Sequence, residues 1–108
     1  MIRNITRIAL ESEGYFILAS HDGEEALTLS RKFSGTIHAL LSDVTMPKMN
    51  GLELRQRILT ERPGIKVLLM SGYVDTPLPR TAAFLPKPFT PADLQERMRK
   101  LLASPAST

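Results

Sequence analysis

The 108-residue chain contains no cysteine. It can therefore build neither a disulfide framework nor a thiolate metal site, and the sequence leaves its redox compartment untested. No apolar run approaches the roughly 18 residues of a membrane span. No signal-peptide pattern is expected at the start, where Arg3 and Arg7 interrupt the apolar residues before a continuous hydrophobic core forms. A cytoplasmic address is the default expectation, with no membrane partner. The chain also lacks a base-rich run with interleaved aromatics. Its net charge of +3 comes from bases scattered after acids: Arg31 and Lys32 after Glu24 and Glu25, Arg55 and Arg57 after Glu53. Acid early and base late is what a helix dipole favours, so these are solvated helix faces and no direct contact with nucleic acid is expected.

What is present is ordinary globular material. An apolar content of 43% with 23% charge argues against disorder and against a fibrous repeat. The length suits one domain, expected over residues 1–102, with a flexible tail over 103–108 that has nothing to bury.

Along the chain, Ile2, Ile5, Ile8 and Ala9 recur at helical spacing and Gly14 supplies a stop, predicting a first helix from Ile2 to about Glu13. Tyr15 to Ala19 is short, apolar and rich in strand formers, and reads as a buried strand. Asp22 followed by Glu25 makes a helix start, with Ala26, Leu29 and Phe33 along one face. Ile37 to Ser42 is the next strand. Asn50 with Glu53 caps a third helix, with Leu54 and Ile58 inward and Pro63-Gly64 as its end. Ile65 to Met70 and Ala82 to Leu85 are further strands. Thr90-Pro91-Ala92-Asp93 opens a last helix with Leu94, Met98, Leu101 and Leu102 inward. Strands alternating with helices predict an α/β fold, a parallel sheet with crossover helices on both faces. His21 and His38 are isolated and read as surface or strand-edge residues. The five methionines are scattered and read as core fillers.

The most informative stretch is Leu40-Leu41-Ser42-Asp43-Val44-Thr45-Met46-Pro47-Lys48-Met49-Asn50-Gly51, where an apolar strand ends on a carboxylate and turns sharply into a helix. Open α/β sheets bind ligands in the crevice outside the carboxyl ends of their strands, which places Asp43 there. This segment resembles the phosphoacceptor region of bacterial response-regulator receiver (CheY-like) domains. Ile65 to Gly72 resembles that family's fourth strand with its hydroxyl, Ser71, and Phe84-Leu85-Pro86-Lys87-Pro88-Phe89 resembles its fifth strand and Lys-Pro turn. The resemblance runs from Ile2 to about Leu102. It implies a flavodoxin-like sheet and a phosphoacceptor role for Asp43. Ser71 would hydrogen-bond the phosphoryl group, Lys87 would be the pairing cation, and Phe84 the switch aromatic. It also implies a magnesium ion bound by Asp43 and the Thr45 backbone carbonyl, a cis Lys87–Pro88 peptide, and a histidine kinase or phosphotransfer protein as phosphate donor.

Two features of the family pattern are not found in these residues. The family's first strand ends in an acidic pair that holds magnesium, whereas this sequence opens on what resembles the family's first helix. In the family's strand order the missing strand would lie between the strands at Tyr15 and Ile37. Four or five buried strand residues represent roughly 6–15 kcal/mol of burial, against a whole-domain stability of about 5–15 kcal/mol. Rearrangement or domain swapping into a homodimer is the expected repair. Second, Pro77 and Pro79 disfavour the helix that follows the fourth strand in the family. The expected function is a truncated receiver-like domain of two-component signalling. It would act as a binding and assembly module, not an enzyme, with impaired phosphoacceptor chemistry. The alternatives are a working receiver phosphorylated on Asp43 with magnesium, and a fragment of a DNA-binding regulator.

Overall fold

The structure is a computed structural model that describes residues 2–46, 48–72 and 82–103. Its elements run α1 (Ile2–Glu11), α2 (Gly23–Lys32), β1 (Ala39–Asp43), α3 (Gly51–Glu61), β2 (Lys66–Ser71), β3 (Ala83–Pro86) and α4 (Pro91–Ala103). The three strands form one parallel sheet in the order β1-β2-β3, with Asp43 opposite Met70 and Ser71 opposite Pro86.

Local chemistry accounts for the helix starts. The Asp22 carboxylate accepts the Glu25 N–H at 2.8 Å and the Asn50 side chain accepts the Glu53 N–H at 2.8 Å, each satisfying an orphan donor of the first turn. At α4 the exchange is reciprocal: Thr90 Oγ1 accepts from the Asp93 N–H and the Asp93 carboxylate accepts from the Thr90 N–H, both at 3.0 Å. Pro91 then occupies the first helical position, where its missing donor costs nothing.

The alternation of β2 sorts the core into two layers. Val67 and Leu69 join Leu27, Val44, Leu54, Ile58 and Ile65 under α2 and α3. Leu68 and Met70 join Ala9, Leu10, Leu85, Leu94 and Met98 under α1 and α4. Met49, Met70 and Met98 are buried as core fillers, and both histidines are exposed.

Several expectations need correction. Residues 15–19 form no strand; they lie across a cavity from β1 and have no ladder partner, and strand propensity without a neighbour makes no strand. The sheet accordingly has three strands among the described residues. The inward face of α2 centres on Leu27 and Ser30, with Ala26, Leu29 and Phe33 only half-buried because they border that same cavity. On α1, Ala9 and Leu10 are buried while Ile8 is 66% exposed, since the helix turns Ala9 toward α4, whose Gln95 Nε2 donates to the Ala9 carbonyl at 2.8 Å. That helix ends at Glu11 and is followed by a turn in which Gly14 has φ +93°. Ala103 belongs to α4 and not to a tail. The expectations for residues 73–81 and 104–108 fall outside the described residues. No helix among those described is long and apolar enough to cross a membrane.

Candidate functional site

The site forms where the three strands end. β1 delivers Asp43 as its last residue, β2 ends on Ser71, and Lys87 follows β3 directly. Two main-chain bonds continue the ladder past the strand ends and hold these residues together: the Val44 N–H donates to the Met70 carbonyl, and the Lys87 N–H to the Ser71 carbonyl, both at 2.8 Å. Lys87 reaches across the end of β2, and its ammonium makes an ion pair with Asp43 Oδ1. That oxygen is buried and receives no aligned hydrogen bond from any described group. The pair is only partly removed from water, with side-chain exposures of 29% for Lys87 and 40% for Asp43, so its electrostatic contribution is screened.

The other implied residues take these places. Ser71 is 7% exposed at the end of β2. Phe84 is half-buried in β3, packed on the α2–α3 side of the core, and its carbonyl accepts from Arg97 Nη1 at 2.9 Å. Thr45 is exposed on the bend two residues beyond Asp43. The Lys87–Pro88 peptide is cis.

Two residues that sequence reasoning did not single out set the shape of this region. Gly51 opens α3 directly against β1: its N–H donates to the Val44 carbonyl at 2.7 Å. A Cβ there would overlap the Asp43 carbonyl oxygen and lie 3.0 Å from Val44 Cα. Only glycine allows the helix to start so close to the strand end. Arg62, just past α3, donates to Ser30 Oγ at 2.8 Å, to the Ser30 and Phe33 carbonyls at 2.7 Å and to the Gly35 carbonyl at 3.0 Å. It satisfies the open carbonyls at the end of α2 and fixes the chain entering β1. The Asn-Gly pair offered a signal for Gly51. Nothing local marks Arg62, whose partners lie about 30 residues away in sequence, as their separations of 27 to 32 show.

The fit to magnesium can be tested on these residues. A magnesium ion takes near-octahedral oxygen ligands, commonly one or two protein carboxylates with waters and phosphate oxygens. Asp43 Oδ1, here paired with the Lys87 ammonium, is one implied oxygen ligand, and the Thr45 carbonyl is the second. Among the described residues no group of three His, Cys, Asp or Glu side chains could hold a metal ion. Glu11 and Glu13 are engaged by Arg7 and Arg99. The described residues make only part of such a site.

The fold is thus a parallel α/β sheet with an aspartate, a serine and a lysine at the carboxyl ends of three adjacent strands. Residues 1–99 match the response regulator receiver domain family, and the chain belongs to it. It is thus a receiver domain of two-component signalling. It is 33% identical over 100 residues to the response regulator receiver protein CpdR of Brucella abortus (strain 2308), covering 87% of this chain and 82% of that protein. It is also 33% identical over 100 residues to the sensor kinase CckA of the same strain, but spans only 11% of that protein. The solved receiver domain of a hybrid histidine kinase CckA superposes with a TM-score of 0.80 at 35% identity, over 93% of this chain and 88% of that one. The flavodoxin-like class expected from the sequence is therefore the right one.

Proposed function

We propose that this receiver domain acts as a protein-binding and assembly module, not as an enzyme, and that its phosphoacceptor chemistry is impaired. The observation that carries this reading is the pairing of Asp43 with Lys87, with no group of three His, Cys, Asp or Glu side chains among the described residues that could hold a metal ion. In phosphoryl transfer to an aspartate, a carboxylate oxygen forms a bond to phosphorus as the bond from phosphorus to the donor breaks. The protein contributes positioning and charge neutralisation. Lys87 supplies one positive charge. Of the described residues, Asp43 and the Thr45 carbonyl are the implied ligands, and two such ligands would hold a divalent cation weakly and shield the incoming phosphoryl charge poorly. A histidine kinase or phosphotransfer protein remains the donor class that the family membership suggests.

The form of assembly we infer is a homodimer. Ile8 at 66%, Phe16 at 79% and Leu18 at 39% are large apolar side chains left in water, and Phe16 stacks on Phe33 with ring centroids 6.5 Å apart. An apolar rim of this kind is a surface for self-association.

The test is intact-mass measurement after incubation with acetyl phosphate and magnesium. Wild type should gain no more phosphate than Asp43→Asn. A stoichiometric adduct present in wild type and absent from the variant would establish a working phosphoacceptor instead.

A further inference from the structure

Ser42, the residue before Asp43, is buried in β1. Its hydroxyl lies 2.9 Å from the Asp43 carbonyl oxygen and 3.6 Å from Met46 Sδ, placed to donate to either. A serine carries a single O–H, so it serves one acceptor at a time, and a thioether is the weaker of these two. The carbonyl therefore holds the hydrogen bond. That same carbonyl borders the tightest contact of the β1–α3 junction, where a Cβ on Gly51 would overlap it. The Ser42 bond thus acts on the backbone that carries the carboxylate paired with Lys87.

Met46 differs from the other described methionines in its access to solvent. Met49, Met70 and Met98 are at most 6% exposed, whereas Met46 is half-buried on the chain just beyond β1. It packs against the core layer that holds Val44, Met49 and Leu54. A thioether in that position is chemically addressable from water while its sulfur touches a buried hydroxyl beside the site.

We propose that Met46 is a site of reversible oxidation by hydrogen peroxide, and that its sulfoxide takes the Ser42 hydrogen bond away from the Asp43 carbonyl. A sulfur lone pair attacks one peroxide oxygen. The S–O bond forms as the O–O bond breaks, and the proton left on the transferred oxygen passes to the departing hydroxide to give water. Sulfur is oxidised by two electrons and the peroxide is reduced by two. The new oxygen is a polar acceptor on an atom already within reach of Ser42 Oγ. The junction is then disturbed twice over, because the Asp43 carbonyl loses its donor and a polar group is set against the apolar packing of Met46. The redox state of one side chain is read out at the backbone of Asp43. This inference goes beyond the assembly reading and does not depend on it.

The test exposes the folded chain to hydrogen peroxide and follows each methionine by peptide mapping. Met46 should gain oxygen about tenfold or more faster than Met49, Met70 and Met98, whose buried sulfurs react only through local opening. In urea the rates should converge. The second readout is the Val44 amide nitrogen, whose NMR shift follows hydrogen bonding to the Asp43 carbonyl of the same peptide unit. Oxidation should move that signal and methionine sulfoxide reductase should return it. Ser42→Ala, which deletes the donor, should already show the moved signal and change little further with peroxide, and Met46→Leu should abolish the response. Equal oxidation rates in the folded chain, a Val44 signal unmoved when Met46 is fully oxidised, or the same peroxide-induced shift in Ser42→Ala as in wild type would each overturn the proposal. Should Ser42→Ala fail to fold, the wild type and Met46→Leu decide: a shift that survives the reductase, or that appears in Met46→Leu, overturns it.

Discussion

Lys87 and Asp43 form an ion pair that spans the end of the central strand, joining the carboxyl ends of β1 and β3 across β2. The pair ties together two strands that share no hydrogen bonds. It also decides what the carboxylate faces: one oxygen is buried against an ammonium, and the side chain as a whole is still 40% exposed.

Lys87→Met should therefore cost stability, but modestly. It leaves Asp43 Oδ1 without its counter-ion, and a partly exposed pair contributes about 1 kcal/mol or less. Urea denaturation of the two single variants and of the double variant Asp43→Asn/Lys87→Met would measure the coupling, and the double variant is expected to be no less stable than Lys87→Met alone.

Arg62→Ala should cost more, about 1–3 kcal/mol, because it strips hydrogen bonds from the Ser30, Phe33 and Gly35 carbonyls at once. Arg62→Lys should not restore the loss, since an ammonium cannot reproduce the guanidinium fork. Thermal melts of the three proteins would check both statements.

Gly51→Ala should destabilise by about 1–3 kcal/mol, the usual cost of forcing atoms into a closed contact. The added Cβ would collide with the Asp43 carbonyl, and relief requires α3 to move away from the strand end. Amide shifts at Val44 and Thr45, read by NMR, should change more than those at the far end of α3.

At the surface, a hydrogen bond from Arg31 holds the Glu61 carboxyl below the ordinary glutamate range, with the guanidinium charge adding to it. A depressed folded-state value gives stability that is present above the unfolded value of about 4.3 and is lost as pH falls through the lower folded value. Glu61→Gln should lower Tm slightly near neutrality and leave it unchanged below that window, which flattens the acid limb of a Tm-against-pH curve; the effect is small because the pair is exposed to solvent.

For the inferred homodimer, sedimentation velocity at micromolar concentration should show a dimer, and Phe16→Lys or Leu18→Lys should shift it to monomer without loss of helical circular dichroism. Both side chains are in water in the single chain, so a charge there costs the monomer little. A wild type that stays monomeric would remove the assembly reading.

Much of this molecule was determined by local sequence alone. Asp22, Asn50 and Thr90 start their helices through bonds to amides three residues on, which spacing makes readable. The apolar run of β2 and the carboxylate ending β1 likewise make the convergence of Asp43, Ser71 and Lys87 at one edge of a parallel sheet readable in the sequence. What only the tertiary structure decided depends on neighbours. Residues 15–19 have the composition of a strand and are not one, because pairing needs a second backbone within reach, and across from them lies the cavity. The same cavity leaves Leu29 and Leu41 half-buried on elements that were correctly assigned, while Ile8 is turned to solvent by the side on which α1 meets α4. Arg62 and Gly51 acquire their roles from carbonyls on other elements, distant in sequence for Arg62 and at the end of the preceding strand for Gly51. Hydrophobic period and capping chemistry act over a few residues, whereas burial and close approach are properties of surfaces that meet only after the chain has folded.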